Sequence, residues 1–558
     1  MNEWLGSVFL LVAFGVASST HGQDISSNQA AKLNQALSQS IPNDTGGCGV
    51  GIWSGEALVF SGAKGYANVE HKVPITANTV FDIASISKQF TASAILLLSQ
   101  QGKISLQDNI RKYIPEMPKY EKEILIKDLL NHTSGIRNFT SLLELEGIGF
   151  SQPISKADIL ALIARQTDVE FPSGESFKYT NSGYFLAAMI IERVTGLSLG
   201  QFTKRHIFDS LSMTNTRFLE EHDTIISDRA DAYSKTINFY RKNTPKLNMA
   251  GPGGLLTSIN DISKWNKNFS SGKVGGKKLI KLLEKKGQLN SGMLIPYGYG
   301  IWVLGDGDDV SYEHNGAWGG YRSVYSRSPS SGMSIAIFCN IDDVDIYSLL
   351  QELKSIALHS EHIVSSELAE LSKIKELSKQ IMDFTRKAGV YELDGIEKIL
   401  FFEDGGRFFL VSYQLGMEEI FPLQDNVFHI PNRGIKINFL NGFDESHSLA
   451  RWIWPSGDET ALYKKTEVKL TDEEVLNFAG DFFSKDMLFT YKFVSENGQL
   501  YAIHPKLPKV HLIPIGQGRF LGNKQHLLSM EGRNISRDTT EIRINAFDLQ
   551  ELVFEKVD

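Results

Sequence analysis

The last third of the 558-residue sequence contains an internal repeat, and this repeat restricts the fold more than any other feature. Ala388-Gly389 recurs 91 residues later as Ala479-Gly480. Further landmarks recur at a spacing of 92 residues, namely Gly406 with Gly498, Phe421-Pro422 with Ile513-Pro514, and Phe428 with Phe520. Landmarks that share one register in this way indicate a duplicated structural unit.

Each copy of the repeat has the pattern of a small β structure. Asp404-Gly405 and Asn497-Gly498 are two-residue hairpin signals, and strand-like runs flank both of them. In the second copy, Phe489, Tyr491 and Phe493 alternate with polar residues, as in a half-buried strand. We therefore predict two similar β modules, barrels or sandwiches, over residues 388–467 and 468–558.

Composition and length exclude several classes of protein. Hydrophobic residues make up 42% of the chain, charged residues 22%, and the formal net charge is -8. These values exclude a disordered chain, a collagen-like repeat and a polybasic nucleic-acid binder. At about 150 residues per domain, the length favours three to four domains.

The N-terminus predicts export. Residues 4–17 are almost wholly apolar or small, which is too short to span a bilayer, and residues 18–23 are polar and small. We predict a signal peptide over residues 1–22 and a periplasmic or extracellular protein without a transmembrane span. A buried N-terminal helix is the alternative, because the segment before the apolar run lacks Lys and Arg.

The two cysteines, Cys48 and Cys339, allow at most one disulfide, and the sequence leaves open whether they pair.

The region between the N-terminus and the repeat has the pattern of an α+β domain over residues 24–355. Strand-like runs occupy residues 47–83 and 297–340, and mostly helical patterns lie between them. One sheet that combines both ends of this region would also contain both cysteines. Residues 356–387 are charge-rich, with apolar residues at helical spacing, and we predict a linking helix there.

Ser85-Ile86-Ser87-Lys88 is the strongest candidate for a nucleophile and its base. Other Ser-x-x-Lys tetrapeptides begin at Ser61, Ser270 and Ser372, but they lie in a hairpin-like segment, a loop and the charged linking helix. Only Ser85 lies where a strand-like run meets an apolar helix, residues 90–102. There, Ser85 and Lys88 share one helix face, and the helix N-terminus together with burial would lower the pKa of Lys88. The same terminus offers backbone N–H groups to an oxyanion. A capping serine and a solvated lysine would give the same pattern.

Two further groups accompany this tetrapeptide. Tyr179-Thr180-Asn181 follows a turn-forming stretch and precedes an apolar helix, and His314-Asn315-Gly316 lies among the later strands. A second Tyr-x-Asn begins at Tyr66, and Lys273-Val274-Gly275 is a rival for the third position. Both are weaker candidates, because Tyr66 lies upstream in a hairpin and Lys273 lies in a loop.

Ser-x-x-Lys, Tyr-x-Asn and His-x-Gly, in this order, resemble the motifs of the penicillin-recognising serine hydrolases, which include class C β-lactamases, DD-carboxypeptidases, D-aminopeptidases and related esterases. The stretches FDIASISKQFTA, IKDLLNHTSGI, IFDSLSMTNTRF and MAGPGGLLTSINDISKW are also similar to this family. The resemblance covers roughly residues 25–355. It implies an antiparallel sheet flanked by helices plus a helical subdomain. The repeated modules are similar to lipocalin-like barrels appended to some D-aminopeptidases.

The resemblance also implies roles for individual residues. Ser85 would form the acyl-enzyme, and Lys88 and Tyr179 would move protons. Asn181 would hold the substrate amide, while His314 and Gly316 would contact substrate, with His314 replacing the lysine of most β-lactamases. The N–H groups of Ser85 and Ala317 would form the oxyanion hole. A histidine titrates near neutral pH, whereas a lysine is a permanent charge, which favours a peptidase, amidase or esterase over a β-lactamase.

We therefore expect a serine acyl hydrolase that acts on D-amino-acid or cell-wall-like peptides. A carboxylesterase or a β-lactamase of the same family is the alternative, and a catalytically silent peptide-binding or regulatory protein is the alternative from another class. The expected partner is a small-molecule or peptide substrate, without nucleic acid, metal or cofactor. The sequence leaves the oligomeric state open.

Overall fold

The structure is a computed structural model that describes residues 25–557 except for short gaps and one long one. The gaps are 151, 237–238, 248, 359–386, 394–396, 405–406, 413–415, 425, 431–434, 441–448, 455–457, 466–467 and 534–538. The predicted signal peptide and nearly all of the predicted linking helix lie outside the described residues.

The described helices lie mostly in the first two thirds of the chain. They are α1 (Ser27–Ser40), α2 (Lys88–Gln100), α3 (Ile126–Leu130), α4 (Phe139–Leu145), α5 (Lys156–Ala164), α6 (Asn181–Thr195), α7 (Leu199–Thr203), α8 (Asp209–Leu211), α9 (Ile259–Ser271), α10 (Gly276–Leu283), α11 (Ile346–Ala357) and α12 (Asp472–Leu476). No single helix in the described part of the chain is long and apolar enough to span a membrane; the bent pair Asn181–Thr195 and Leu199–Leu211 meets the length and composition criteria only jointly.

The strands of the first part form one main sheet and several small ones. The main sheet has the order β10-β11-β12-β13-β1-β2, and its pairs are antiparallel. Its strands are β1 (Cys48–Ser54), β2 (Ala57–Lys64), β10 (Trp302–Leu304), β11 (Ser311–Trp318), β12 (Tyr321–Ser328) and β13 (Met333–Cys339). The short strands are β3 (Tyr66–Asn68), β4 (Val73–Pro74), β5 (Phe81–Asp82), β6 (Arg217–Phe218), β7 (Tyr233–Lys235), β8 (Tyr240–Lys242) and β9 (Leu255–Thr257).

The main sheet confirms that strands from both ends of this region pair. β1 lies beside β13, and Cys48 is directly opposite Cys339 in the register. The two cysteines form a disulfide across a sequence separation of 291 residues. Because β1 and β13 are buried along their whole lengths, the bridge joins the start and the end of the domain inside its core.

The repeated region forms two closed eight-stranded antiparallel barrels, so the predicted pair of β modules is confirmed. Barrel 1 consists of β14 (Gly389–Leu393), β15 (Glu397–Asp404), β16 (Arg407–Ser412), β17 (Gly416–Gln424), β18 (Val427–Ile430), β19 (Ile435–Phe439), β20 (Leu449–Ile453) and β21 (Glu459–Lys464). Barrel 2 consists of β22 (Gly480–Ser484), β23 (Phe489–Glu496), β24 (Gln499–Ile503), β25 (Val510–Gly516), β26 (Arg519–Lys524), β27 (Leu527–Arg533), β28 (Glu541–Ala546) and β29 (Leu549–Val557).

The landmarks of the repeat occupy equivalent places in the two barrels. The first strands begin at Gly389 and Gly480. Pro422 and Pro514 each lie at a register shift, where a residue without an N–H is tolerated. The buried rings of Phe428 and Phe520 both belong to the fifth strand of their barrel.

Barrel 2 packs directly on the helices of the first part of the chain. Buried apolar residues of both belong to one continuous hydrophobic cluster, whereas barrel 1 has a core cluster of its own. Arg165 donates from Nε to the Asp486 carbonyl at 2.8 Å, and Arg137 pairs with the Asp486 carboxylate at 3.6 Å. Asn138 donates to the Asp548 carboxylate at 2.9 Å. Barrel 2 therefore contacts the loop just before α4 and the C-terminal end of α5.

Candidate active site

Ser85 lies on a tight turn between a strand and a buried helix. The turn Ala84–Ser87 follows β5 and leads directly into α2, whose Lys88 is fully buried. Ala84 has a φ of +48°, a conformation that is strained for a residue with a side chain. The Asp82 carboxylate accepts the Ala84 N–H at 2.8 Å and holds the turn in this shape.

Lys88 makes three contacts through Nζ. The nitrogen lies 3.0 Å from the Ser85 hydroxyl, 2.9 Å from the Asn181 side-chain oxygen and 2.8 Å from the Pro252 carbonyl. The last two atoms can only accept hydrogen bonds. A neutral amine has two N–H groups for these acceptors, and its lone pair is then left for the Ser85 proton.

Burial makes the neutral form of this lysine the favoured one. Desolvation lowers the pKa of Lys88 well below its usual range. The Tyr179 ring lies 4.8 Å from Nζ, and burial raises the pKa of Tyr179 above its usual range. The Ser85 side chain opposes part of this rise in the pKa of Tyr179. Burial thus favours an uncharged amine and an uncharged phenol beside Ser85.

Asn181 begins helix α6 and is already engaged with its neighbours. Its side-chain oxygen accepts from Lys88, its Nδ2 lies 3.4 Å from the Thr140 hydroxyl, and its backbone N–H donates to Asn138 at 3.3 Å. Beneath it, His132 accepts the Thr180 N–H at 3.1 Å, and the His132 ring lies 4.3 Å from the Tyr179 ring. The Asn181 oxygen therefore orients Lys88, and its Nδ2 makes one long contact, with Thr140.

His314 lies close to these groups but is turned into the protein. Its side chain is buried, and its Nε2 lies 2.8 Å from the Tyr297 hydroxyl. Its Nδ1 lies 2.7 Å from the Asn315 carbonyl, which can only accept, so Nδ1 carries the proton. Burial, the largest cause, lowers the pKa of His314 to about 3. This value differs from the expectation of titration near neutral pH, because the sequence does not reveal how deeply the ring is buried.

Gly316 allows β11 to lie against the turn that carries Ser85. A Cβ at this position would lie 2.4 Å from the Ile83 carbonyl oxygen and 2.9 Å from the Ala84 Cβ. The absence of a side chain at Gly316 therefore allows β11 to pack against the backbone of Ile83. Ala317, the next residue, lines the same cavity as Ser85, where the resemblance places an oxyanion hole.

The cavity beside Ser85 has a volume of about 320 Å³. Two charged side chains line it, Glu144 from α4 and Arg322 from β12. Burial, and then the nearby Asp548 carboxylate, raise the pKa of Glu144 to about 7. Arg322 donates to the Gly319 and Tyr321 carbonyls, both at 2.8 Å.

Sequence reasoning did not single out Glu144, Arg322 or the Pro252 carbonyl. Pro252 lies within the MAGPGG stretch that contributed to the resemblance, which is the one signal that could have indicated it. Glu144 and Arg322 carry no motif of their own. Among the residues that the structure describes, no group of three or more His, Cys, Asp and Glu side chains could hold a metal ion.

The Asp82 carboxylate gives a pH-dependent prediction for stability. Burial raises its pKa from 3.8 to about 6, so the folded protein holds this proton more tightly than the unfolded chain. Its stabilising contribution is therefore complete below about pH 4 and is lost as the pH rises through about 6, by on the order of 3 kcal/mol. Asp82→Asn keeps an acceptor for Ala84 but does not titrate. Urea unfolding of both proteins between pH 4 and 7 should show a decline that is larger in the wild type by about this amount, and parallel curves would contradict the prediction.

A serine on a strained turn, a buried lysine within 3.0 Å of its hydroxyl and a tyrosine, carried by a sheet flanked by helices, define an active-serine hydrolase. The family model described as Beta-lactamase matches residues 34–348, which is more than half of the chain. The chain belongs to this family.

Several known proteins are similar to the chain. Penicillin-binding protein 4* of Bacillus subtilis (strain 168) is 24% identical over 432 residues, which cover 74% of this chain and 93% of that protein. The D-aminopeptidase of Brucella anthropi is 26% identical over 292 residues, which cover 52% of this chain and 55% of that protein. The solved structure of the octameric penicillin-binding protein homologue from Pyrococcus abyssi has a TM-score of 0.54 and 20% identity, and the match covers 86% of this chain and 98% of that one. This last likeness is one of fold.

Proposed function

We propose that the protein is an exported peptidase or amidase that cleaves amide bonds of D-amino-acid or cell-wall-like peptides through an acyl-enzyme on Ser85. The observation that carries the proposal is the setting of Lys88. Its Nζ is anchored by the Asn181 and Pro252 oxygens and faces the Ser85 hydroxyl at 3.0 Å. An amine that is buried, oriented and neutral can accept a proton near pH 7.

In the acylation step, Lys88 takes the proton of the Ser85 hydroxyl while Ser85 Oγ attacks the substrate carbonyl carbon. The N–H groups of Ser85 and Ala317 stabilise the oxyanion that forms. When this intermediate collapses, the C–N bond breaks, and Tyr179 passes a proton to the departing amine. Lys88 then gives its extra proton to Tyr179 and becomes neutral again. Water attacks the ester carbonyl and gives one proton to the Lys88–Tyr179 pair. The C–O bond to Ser85 breaks, the pair returns that proton to Ser85 Oγ, and the acid leaves.

The choice of substrate rests on the relatives and on the charged walls of the cavity. A D-aminopeptidase and a penicillin-binding protein are among the similar proteins. Arg322 and, above about pH 7, the Glu144 carboxylate offer groups of opposite sign beside Ser85, which suits a peptide with charged ends. The disulfide between Cys48 and Cys339 supports an oxidising compartment, in agreement with the predicted leader at residues 1–22.

Covalent labelling tests the proposal. A labelled penicillin or fluorophosphonate should modify the wild type and Ser61→Ala, which changes the exposed serine of another Ser-x-x-Lys, but not Ser85→Ala. In a host that exports the protein, the labelled species should begin near residue 23 by mass. Equal labelling of wild type and Ser85→Ala would refute the assignment. Rates on D-amino-acid amides, matched L-amides, p-nitrophenyl esters and nitrocefin then rank the substrates, and a preference for the esters or for nitrocefin would replace the amide proposal.

A further inference from the structure

A second cavity lies where the catalytic domain meets both barrels. Its volume is about 430 Å³, in the range of small-molecule sites. We call it the junction cleft and define it by residues from all three parts of the protein: Ser141, Lys178, Ser412, Met417, Asn545 and Asp548.

The junction cleft and the Ser85 cavity are neighbours that share one wall. Within helix α4, Thr140 and Glu144 line the Ser85 cavity, while Ser141 lines the junction cleft. Asn138, just before this helix, donates to the Asp548 carboxylate at 2.9 Å and accepts the Asn181 N–H at 3.3 Å. The two cavities are therefore separated by the width of one short helix.

The lining of the junction cleft suits a hydroxyl-bearing ligand. Lys178 is paired with Glu170 at 2.8 Å and also donates to the Asp548 carbonyl, so its charge is already compensated within the protein. Apart from the Asp548 carboxylate, the other polar side chains are hydroxyls and amides, and they lie beside apolar ones such as Met417 and Phe547. Sugar rings present the same alternation, with hydroxyls at the edge and C–H groups on the faces.

One buried acceptor in the junction cleft lacks a partner. Asp548 Oδ2 accepts from Asn138, but Asp548 Oδ1 is buried and has no hydrogen bond within the described residues. Leaving such an atom unsatisfied is costly, and a donor supplied by a ligand would remove that cost. A sugar hydroxyl or an acetamido N–H is a donor of this kind.

We propose that the junction cleft binds the saccharide part of a substrate whose peptide part lies across Ser85. Asp548 Oδ1 accepts a hydrogen bond from the sugar, and the amide and hydroxyl side chains of the barrels contact its other polar groups. The two barrels thus form an extended subsite that selects glycan-linked peptides. This inference rests on the proposed function, because it assumes that a cell-wall-like peptide is the substrate.

Two substrates with the same peptide test the inference. One is a tetrapeptide from a cell-wall stem, and the other is the same tetrapeptide attached to its N-acetylated disaccharide. The wild type should show a KM about tenfold lower for the disaccharide form, since one or two added hydrogen bonds account for a factor of this size. Gln525→Trp places a bulky ring in the junction cleft at an exposed position and should abolish the difference. Gln499→Trp makes the same change on exposed barrel 2 surface outside the cleft and should preserve it.

Equal KM values for the two substrates in the wild type, or a difference that survives Gln525→Trp, would overturn the inference. Labelling of Ser85 by penicillin confirms that each variant is folded. If labelling occurs but neither substrate is cleaved, the proposed function fails, and binding of the free disaccharide to Ser85→Ala decides the subsite separately. Calorimetric binding that Gln525→Trp removes supports the subsite, and absence of binding refutes it.

Discussion

Replacing Lys88 with methionine is expected to lower kcat/KM for an amide substrate by about a thousandfold, the usual contribution of a general base. Methionine retains most of the buried volume but leaves the Asn181 and Pro252 oxygens without the Lys88 donor, so a loss of stability of about 1–3 kcal/mol should accompany the loss of activity. Initial rates, the rate of penicillin labelling and thermal unfolding would be compared for the two proteins.

The wild-type rate should also fall as the pH drops through the depressed pKa of Lys88, because only the neutral amine accepts a proton.

The control for this experiment is Lys64→Met. Lys64 belongs to the Ser61/Lys64 pair, which has the same Ser-x-x-Lys spacing, but its Nζ contacts Asn43 on the surface. Wild-type kinetics are expected for this variant. A loss of less than about tenfold in Lys88→Met would show that another group deprotonates Ser85.

Replacing Gly316 with alanine is expected to lower kcat/KM about a hundredfold and to destabilise the fold by about 1–3 kcal/mol. The added methyl would lie 2.4 Å from the Ile83 carbonyl oxygen, so the turn that carries Ser85 must move. A displaced nucleophile reacts slowly even when the substrate still binds. Labelling kinetics and urea unfolding would measure the two effects.

Gly49→Ala is the matched control, because a Cβ at Gly49 in strand β1 of the same sheet has its nearest neighbours at 3.6 Å, an ordinary contact. This variant should retain its labelling rate. If both alanine variants lost the same activity, the effect would belong to the sheet as a whole and not to the approach of β11 to Ser85.

The sequence was sufficient where the geometry is local. Ser85 and Lys88 are three residues apart at the start of a helix, and this spacing alone brings a hydroxyl and an amine within reach. The duplicated barrels were equally predictable, since repeated glycines, prolines and buried phenylalanines mark equivalent strands. The pairing of the two cysteines required one further step, because two strands 291 residues apart must meet in register.

The orientation of His314 shows where sequence reasoning stopped. The His-x-Gly pattern placed the residue on the correct strand, but a strand side chain points to one of two faces, and the packing of its neighbours determines how deeply it is buried. Here Tyr297 and the Asn315 carbonyl hold both ring nitrogens. Gly316 likewise allows β11 to lie close to Ile83 and Ala84, a contact that no sequence motif could indicate.

The sequence by itself determined the family, the proximity of Ser85 and Lys88, and the two β modules, because these depend on short-range spacing and periodicity. Only the tertiary structure decided which oxygens orient Lys88, which charges line the cavity, and how barrel 2 reaches the loop before α4. Asn181, Pro252, Glu144 and Asp548 come from elements far apart in the chain. Their meeting depends on how whole helices and sheets pack, and that packing is set by the sum of many contacts that no single stretch of sequence contains.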